Sequence, residues 1–218
     1  MPVRIEKIDS INPDPRLIER AVNFIRKGKV IVCPTDTGYA FTANALDVPA
    51  LHRVFILKGR AYSNPIHVAV HSMEAAAKYA HINKIAEALA GRYLPGALTL
   101  VLPKKEIVPS LLVAGRDTVG IRIPDNRVML KLAELADLPL TATSANLSGK
   151  PGTYSVPEII DQMGDDFDAE LILDQGELPV HEVSTLVDLS VSPPQLVRQG
   201  KISWLEILQF IQSLPAAG

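Results

Sequence analysis

Cysteine is almost absent from this 218-residue chain; Cys33 stands alone. One cysteine excludes an intramolecular disulfide and any zinc site built on a cysteine cluster. Long apolar runs are missing too, and none approaches the ~20 residues that a membrane span needs. The first residues, MPVRIEKIDS, carry no apolar stretch of the secretory kind. Neither sign of charge dominates. With 22 basic and 24 acidic residues the net charge is -2, unlike a protein held on nucleic acid by bulk charge, although a local basic patch remains compatible. The chain shows no low-complexity segment and no internal repeat. It contains no His-Glu-x-x-His, no EF-hand loop, no Gly-x-Ser-x-Gly elbow and no Walker A loop.

Apolar residues make up 47% of the chain and charged residues 21%, enough for a sizeable core and unlike a disordered chain. Length and composition suit one compact α/β domain in the cytoplasm, away from membranes.

Helical and extended patterns alternate. Asp14-Pro15 opens a helix that Gly28 is placed to end. Val30–Cys33 reads as a buried strand stopping at Pro34. Helical patterns follow at Ala50–Leu57, Met73–Tyr79, Ile82–Tyr93 and Asn126–Leu135. Strands are expected at Ile66–Val70, Leu98–Leu102, Val119–Ile123 and Leu140–Thr143, then at Leu171–Leu173, Thr185–Leu189 and Gln195–Arg198. Ser155-x-x-Glu158 and Ser203-x-x-Glu206 fit capping boxes, opening helices to Met163 and Leu214, with a frayed tail from Pro215. The expectation is a single-domain twisted mixed sheet with flanking helices, its core over 14–202 and a last helix over 203–214.

Three polar clusters follow strands, where ligands bind in open α/β sheets. Pro34-Thr35-Asp36-Thr37-Gly38-Tyr39 reads either as a structural turn or as a ligand-binding loop. Lys58-Gly59-Arg60, with Tyr62, Asn64 and His67 behind it, reads either as a solvated helix end or as a phosphate-holding pair. On an extended segment both cations would point the same way. Thr141 to Gly149 packs hydroxyls, an amide and a glycine after a strand, as a polar turn or an anion nest. His67 within an apolar strand suits a satisfied core histidine. Arg122 sits between Ile121 and Ile123, so it needs a carboxylate, on the protein or on a ligand.

Seven stretches, taken in order, resemble the YrdC-like family of threonylcarbamoyl-AMP synthases. They are Pro34–Tyr39; Lys58-Gly59-Arg60 with Asn64-Pro65-Ile66; Pro95–Thr99; Val119–Pro124; Thr143-Ser144-Ala145-Asn146-x-Ser148-Gly149; Ser184–Asp188; and Arg198-x-Gly200. The resemblance implies a twisted α/β sheet around a concave basic cavity. It implies L-threonine, bicarbonate and ATP as substrates, Mg2+ carried with ATP, and no metal held by protein side chains. The product would pass to tRNA threonylcarbamoyl-transferase machinery acting on adenosine 37. Lys58, Arg60, Ser144 and Asn146 match the family signature and are the implied catalytic set. Thr35, His67, Arg122, Ala142 and Ser184 would line the threonine side. Lys58, Tyr62, Thr118, Ser144, Gly152 and Arg198 would line the ATP side.

Those implied roles carry expectations. Lys58 and Arg60 would contact ATP phosphates from the surface, so replacing Lys58 would cost activity more than stability. Arg122 would hold water or a buffer anion in the free protein and the threonine carboxylate in the complex, whereas a permanent pair with a protein carboxylate would make its role structural. Tyr39-Ala40-Phe41-Thr42 departs from the family's usual Tyr-Gly-Leu-Gly, and the run Gly38-Tyr39-Ala40 resembles the YciO-like branch. Ala61 and Ala97 replace usual prolines, and no additional C-terminal domain is expected after Gly218. The alternative is an RNA- or nucleotide-binding module, including a double-stranded RNA or tRNA binder, without synthase activity. A nucleotide sensor is a third reading. Retention of all four signature residues favours the enzyme.

Overall fold

The computed structural model describes residues 2–215; the part of the expected frayed tail at 216–218 lies outside them. In chain order the elements are β1 (Ile5–Lys7), α1 (Pro15–Arg26), β2 (Ile31–Thr35), β3 (Gly38–Thr42), α2 (Val48–Lys58), β4 (Val68–Ala69), α3 (Met73–Ala76) and α4 (Lys84–Tyr93). They continue with β5 (Leu98–Pro103), β6 (Thr118–Arg122), α5 (Arg127–Ala136), β7 (Leu140–Thr141), β8 (Thr143–Ser144), α6 (Val156–Met163), β9 (Ile172–Asp174), β10 (Thr185–Asp188), β11 (Gln195–Arg198) and α7 (Trp204–Ser213).

The fold is α/β and mixed, as expected, but hydrogen bonding divides the strands into two sheets. One runs β1-β9-β2-β3-β8, the other β11-β10-β5-β6-β4-β7. Each contains parallel and antiparallel pairs. Helices α1 and α5 cover one face of the first sheet, where Ile18, Val22 and Ile25 meet Met129, Leu132, Ile31 and Cys33. The larger core includes Phe41, Phe55, Leu98, Leu100, Ile121 and Val187. Burial pushes the Cys33 thiol up to about 12, so it is inert.

Local chemistry explains most helix starts. The Asp14 carboxylate accepts from Arg16 N, Asp47 from Ala50 N, Asn83 from Ala86 N and Asn126 from both Val128 N and Met129 N. Ser155 accepts from Glu158 N; Glu158 in return accepts from Tyr154 N, one residue before the partner a capping box would use. The second expected box does not form. Ser203 makes no side-chain cap bond; in the first turn Trp204 N donates to Gln199 Oε1 at 3.1 Å.

Four further expectations need correction. The stretch after Pro34 is not a simple turn: Thr35 pairs with Gly38 across a two-residue turn at Asp36-Thr37, and Gly38–Thr42 runs back as β3. The strand expected over Leu140–Thr143 is two strands in different sheets, split at Ala142. The strand expected over Ile66–Val70 shortens to β4, and the helix over Met73–Tyr79 shortens to α3.

Candidate functional site

The gap between the two sheets is where the polar clusters converge. A cavity of about 160 Å³ lies there. The β2–β3 turn and β8 wall one side with Thr35, Thr37 and Ser144; the second sheet walls the other with His67, Arg122, Ser184 and Arg198.

The turn is held by its own hydroxyls. Thr35 Oγ1 donates to Gly38 O at 2.7 Å and accepts from Thr37 N at 3.1 Å. Its one hydrogen is therefore committed, and toward a ligand it acts as an acceptor. Gly38 has φ +119, and a Cβ there would stand 2.9 Å from Thr153 O, so only glycine lets the two backbones close.

Arg122 ends β6 and is 6% exposed. Its Nη2 lies 2.6 Å from Asp36 Oδ2, its Nη1 donates to Thr37 Oγ1 at 2.7 Å, and its Nε to Gly96 O at 3.1 Å. The expected water or buffer anion is replaced by a protein carboxylate. A buried guanidinium cannot shed its proton, so the hairpin turn supplies its counter-ion. Three of its five N–H groups are engaged and two remain.

Arg60 and Arg198 add two more cations. Arg60 is aimed by carbonyls, donating to Asn64 O at 3.1 Å and Pro65 O at 2.8 Å. Arg198 donates to Ser184 O at 2.9 Å and Ser184 Oγ at 3.2 Å, and Ser184 Oγ shares a hydrogen bond of 2.8 Å with Thr99 Oγ1. In β11-to-α7 chain order, Gly200 follows Arg198 at a close approach: a Cβ would sit 2.1 Å from Val183 O. The glycine of Arg198-x-Gly200 thus lets that strand end lie against Ser184.

Burial, then the charges of Arg198, Arg60, Arg122 and Arg116, pull the His67 imidazole down to about 3. It is neutral at any working pH. It is a wall of the cavity, not the satisfied core residue its strand suggested.

Lys58 behaves differently from the surface cation expected. It is the last residue of α2 and 2% exposed. Gly59 caps the helix in the left-handed region at φ +55, turning Lys58 and Arg60 away from the extended geometry expected for them. The Lys58 ammonium lies 2.5 Å from Ser144 O, 2.8 Å from Asn146 Oδ1, 3.0 Å from Asn146 O and 3.5 Å from Ser144 Oγ. Its own carbonyl accepts from Ser148 N at 2.7 Å. Lys58 is thus the clamp of the 144–148 loop. Burial, then the Arg60 charge, pull its ammonium down to about 7. Asn146 completes the clamp: its Oδ1 takes Ser144 Oγ at 2.5 Å, and its amide donates to Lys150 O at 2.6 Å.

The structure therefore gathers Thr35, Arg60, His67, Arg122, Ala142, Ser144, Ser184 and Arg198 around one cavity, with Lys58 and Asn146 behind Ser144. Tyr62, Thr118 and Gly152 do not line it. Tyr62 is half exposed, its ring 4.9 Å from that of Phe55. Sequence reasoning assigned no role to Asp36, Thr37 or Thr99, although each stands inside a quoted motif. No group of three or more His, Cys, Asp or Glu able to hold a metal occurs among the described residues. No helix among them is long and apolar enough to cross a membrane.

Comparison with known proteins decides the family. A family model described as "Telomere recombination", that of Sua5, YciO and YrdC, matches residues 23–200. The chain belongs to this family. It is 44% identical over 199 residues to the threonylcarbamoyl-AMP synthase of Pyrococcus abyssi, covering 89% of this chain and 57% of that protein. The structure of P. abyssi Sua5 complexed with L-threonine superposes with a TM-score of 0.89 at 40% identity, over 95% of this chain and 60% of that one. Escherichia coli YciO superposes with a TM-score of 0.82 at 31% identity, over 91% of this chain and 96% of that one. The chain thus spans a little over half the length of its archaeal Sua5 relative and nearly all of YciO.

Proposed function

We propose that this chain is a threonylcarbamoyl-AMP synthase. The observation that carries the reading is the convergence of Arg60, Arg122 and Arg198 with the hydroxyls of Thr35 and Ser184 in one cavity between the sheets. The P. abyssi relatives, one named for this activity and one complexed with L-threonine, support it.

The reaction joins anions. The threonine amine and bicarbonate give a carbamate and water. A carbamate oxygen then attacks the α-phosphorus of ATP, and pyrophosphate leaves. Such chemistry rests on positioning and on cations facing developing charge, with no covalent nucleophile. The two unengaged N–H groups of Arg122 take the threonine carboxylate beside its pair with Asp36. Thr35 Oγ1 accepts from the substrate, and Ser184 Oγ reads its hydroxyl. His67 and Ala142 shape the pocket wall. Arg60 and Arg198 face the phosphates, with Ser144 held ready by Lys58 and Asn146. Tyr62, Thr118 and Gly152 are our candidates for the part of ATP that extends beyond the cavity. Mg2+ would ride on the ATP phosphates, since Asp36, the acid in contact with Arg122, is already paired. The product then feeds tRNA modification at adenosine 37.

The test is incubation with ATP, L-threonine and bicarbonate. Pyrophosphate and a threonylcarbamoyl adenylate, each dependent on all three substrates, are the expected products. Folded protein that binds ATP without forming the adenylate would favour a binding module of the YciO kind, which this chain resembles at Gly38-Tyr39-Ala40.

A further inference from the structure

Thr99 stands on β5 between Leu98 and Leu100, both in the core, so its own side chain points to the opposite face and lines the cavity between the sheets. The parallel ladder to β10 pairs Leu98 with Thr185 and Thr99 with Leu186, which brings Ser184 alongside. Thr99 Oγ1 has one hydrogen-bond partner among the described residues, Ser184 Oγ at 2.8 Å. Ser184 Oγ has two, because Arg198 Nη2 also donates to it at 3.2 Å. Thr99 is 1% exposed and Ser184 6%, and both line the cavity.

Arginine only donates, so Arg198 takes one lone pair of Ser184 Oγ. The bond between Thr99 and Ser184 then has two possible directions. With Ser184 as its donor, the Thr99 hydrogen is left without an acceptor on the less exposed of the two side chains, and a buried donor without a partner is costly. With Thr99 as its donor, both lone pairs of Ser184 Oγ are filled and the one surplus hydrogen is that of Ser184. It then sits on the more exposed of the two residues, where the cavity can offer it a ligand.

We propose that Thr99 is a positioning residue: it donates to Ser184 Oγ and thereby turns the Ser184 hydrogen into the cavity, so that Ser184 meets the substrate as a donor. The substrate atom beside Ser184 must then be an acceptor. Thr35, on the facing wall, has its hydrogen on Gly38 O and meets the substrate as an acceptor. A hydroxyl both accepts and donates, so one alcohol oxygen between the two walls satisfies Ser184 and Thr35 together, whereas a methyl group satisfies neither. The two hydrogens that Ser184 Oγ accepts also strengthen the one it donates. The selection of an alcohol rests on reading the cavity as the threonine site; the direction of the Thr99–Ser184 bond does not.

The direction of the bond is read without any ligand, by neutron diffraction from deuterium-exchanged crystals. The Thr99 deuterium is expected on the line to Ser184 Oγ; a Ser184 deuterium pointing at Thr99 would overturn the proposal. Its consequence is read by calorimetric titration with L-threonine and with L-2-aminobutyrate, which lacks the hydroxyl. Thr99→Val keeps the side-chain shape and removes the hydrogen. Its threonine affinity should fall about fivefold, because the Ser184 hydroxyl is freed among its staggered wells and becomes a weaker donor. Its 2-aminobutyrate affinity should not change, and Thr99→Ser, which keeps the hydroxyl, should bind threonine as the wild type does. Equal losses for the two amino acids, an unchanged threonine affinity in Thr99→Val, or no rescue in Thr99→Ser would overturn the positioning role. Wild-type protein that binds neither amino acid would overturn the threonine reading, and the neutron map alone would then decide the role of Thr99.

Discussion

Gly120 lies directly beneath the His67 ring: a Cβ at position 120 would stand 2.4 Å from His67 Cδ2. The two residues flank the Val68–Ile121 pair of the parallel β4–β6 ladder, so neither backbone can withdraw. The missing side chain at 120 is what lets an imidazole form the cavity wall. Gly120→Ala should push the ring into the proposed threonine pocket, costing about 1–3 kcal/mol of stability by overpacking and most of the threonine affinity. Denaturant unfolding and threonine titration check both, and an unchanged threonine affinity would show that the ring has room to move.

His67 also sets a pH dependence. Its folded value of about 3 lies below its ordinary value of 6.5. The unfolded chain therefore binds the proton first, and stability from this group is full above pH 6.5 and is lost as pH falls toward 3. Urea midpoints should fall more steeply over that window in the wild type than in His67→Gln. Parallel curves would mean the imidazole is protonated in the fold.

The Lys58 ammonium ties together four oxygens of Ser144 and Asn146, and Lys58→Ala would take from the backbone oxygen of buried Asn146 its only partner among the described residues and leave the other three with bonds inside the 144–146 segment alone. The expected loss is about 3 kcal/mol, with the loop released and the proposed synthase activity lost alongside. This reverses the order of effects expected of a surface cation. A variant as stable as wild type but inactive would return Lys58 to direct phosphate contact.

Arg122→Lys keeps a cation near Asp36 but gives up the planar fork that reaches Thr37, Gly96 and Asp36 together. Threonine affinity should fall about tenfold or more while ATP affinity stays near wild type, given the strength of bidentate carboxylate pairing. Separate calorimetric titrations with each ligand distinguish the two, and equal losses would make Arg122 purely architectural.

A site that reads the substrate hydroxyl through Thr35 and Ser184 should use valine poorly. A hydrogen-bonding pocket rejects an analogue lacking the hydroxyl by roughly 10⁴, far more than an apolar pocket achieves. Adenylate formation with each amino acid is the measurement; comparable rates would show that only shape is read.

Much of the fold was legible where local chemistry decides it. Asp14-Pro15 and Ser155 announce helices that form, and Gln195–Arg198 is a strand as expected. Ser203 precedes the helix it announced yet makes no side-chain cap bond; the side chain that accepts from the first turn, at Trp204 N, is Gln199. The strand at Gly38–Thr42 was hidden by turn residues that are the turn's last position, not its continuation. Arg122 was legible as an arginine in need of an anion, yet the sequence could not say that Asp36, 86 positions earlier, would meet it. Lys58 was legible as a candidate site residue but not as buried, because its partners come from the loop 86 to 88 residues on.

Ala142 is the single residue between a strand of one sheet and a strand of the other, and its N–H donates to His67 O at 2.9 Å. The chain crosses a seam there, and the cavity opens onto that seam. A molecule touching Arg122 on one side and Ser144 on the other acts as a rivet through both plates. Amide exchange should then slow in β4 and β6 and in β3 and β8 together, so that occupancy of one small chamber is felt as stiffness across the whole body of the protein.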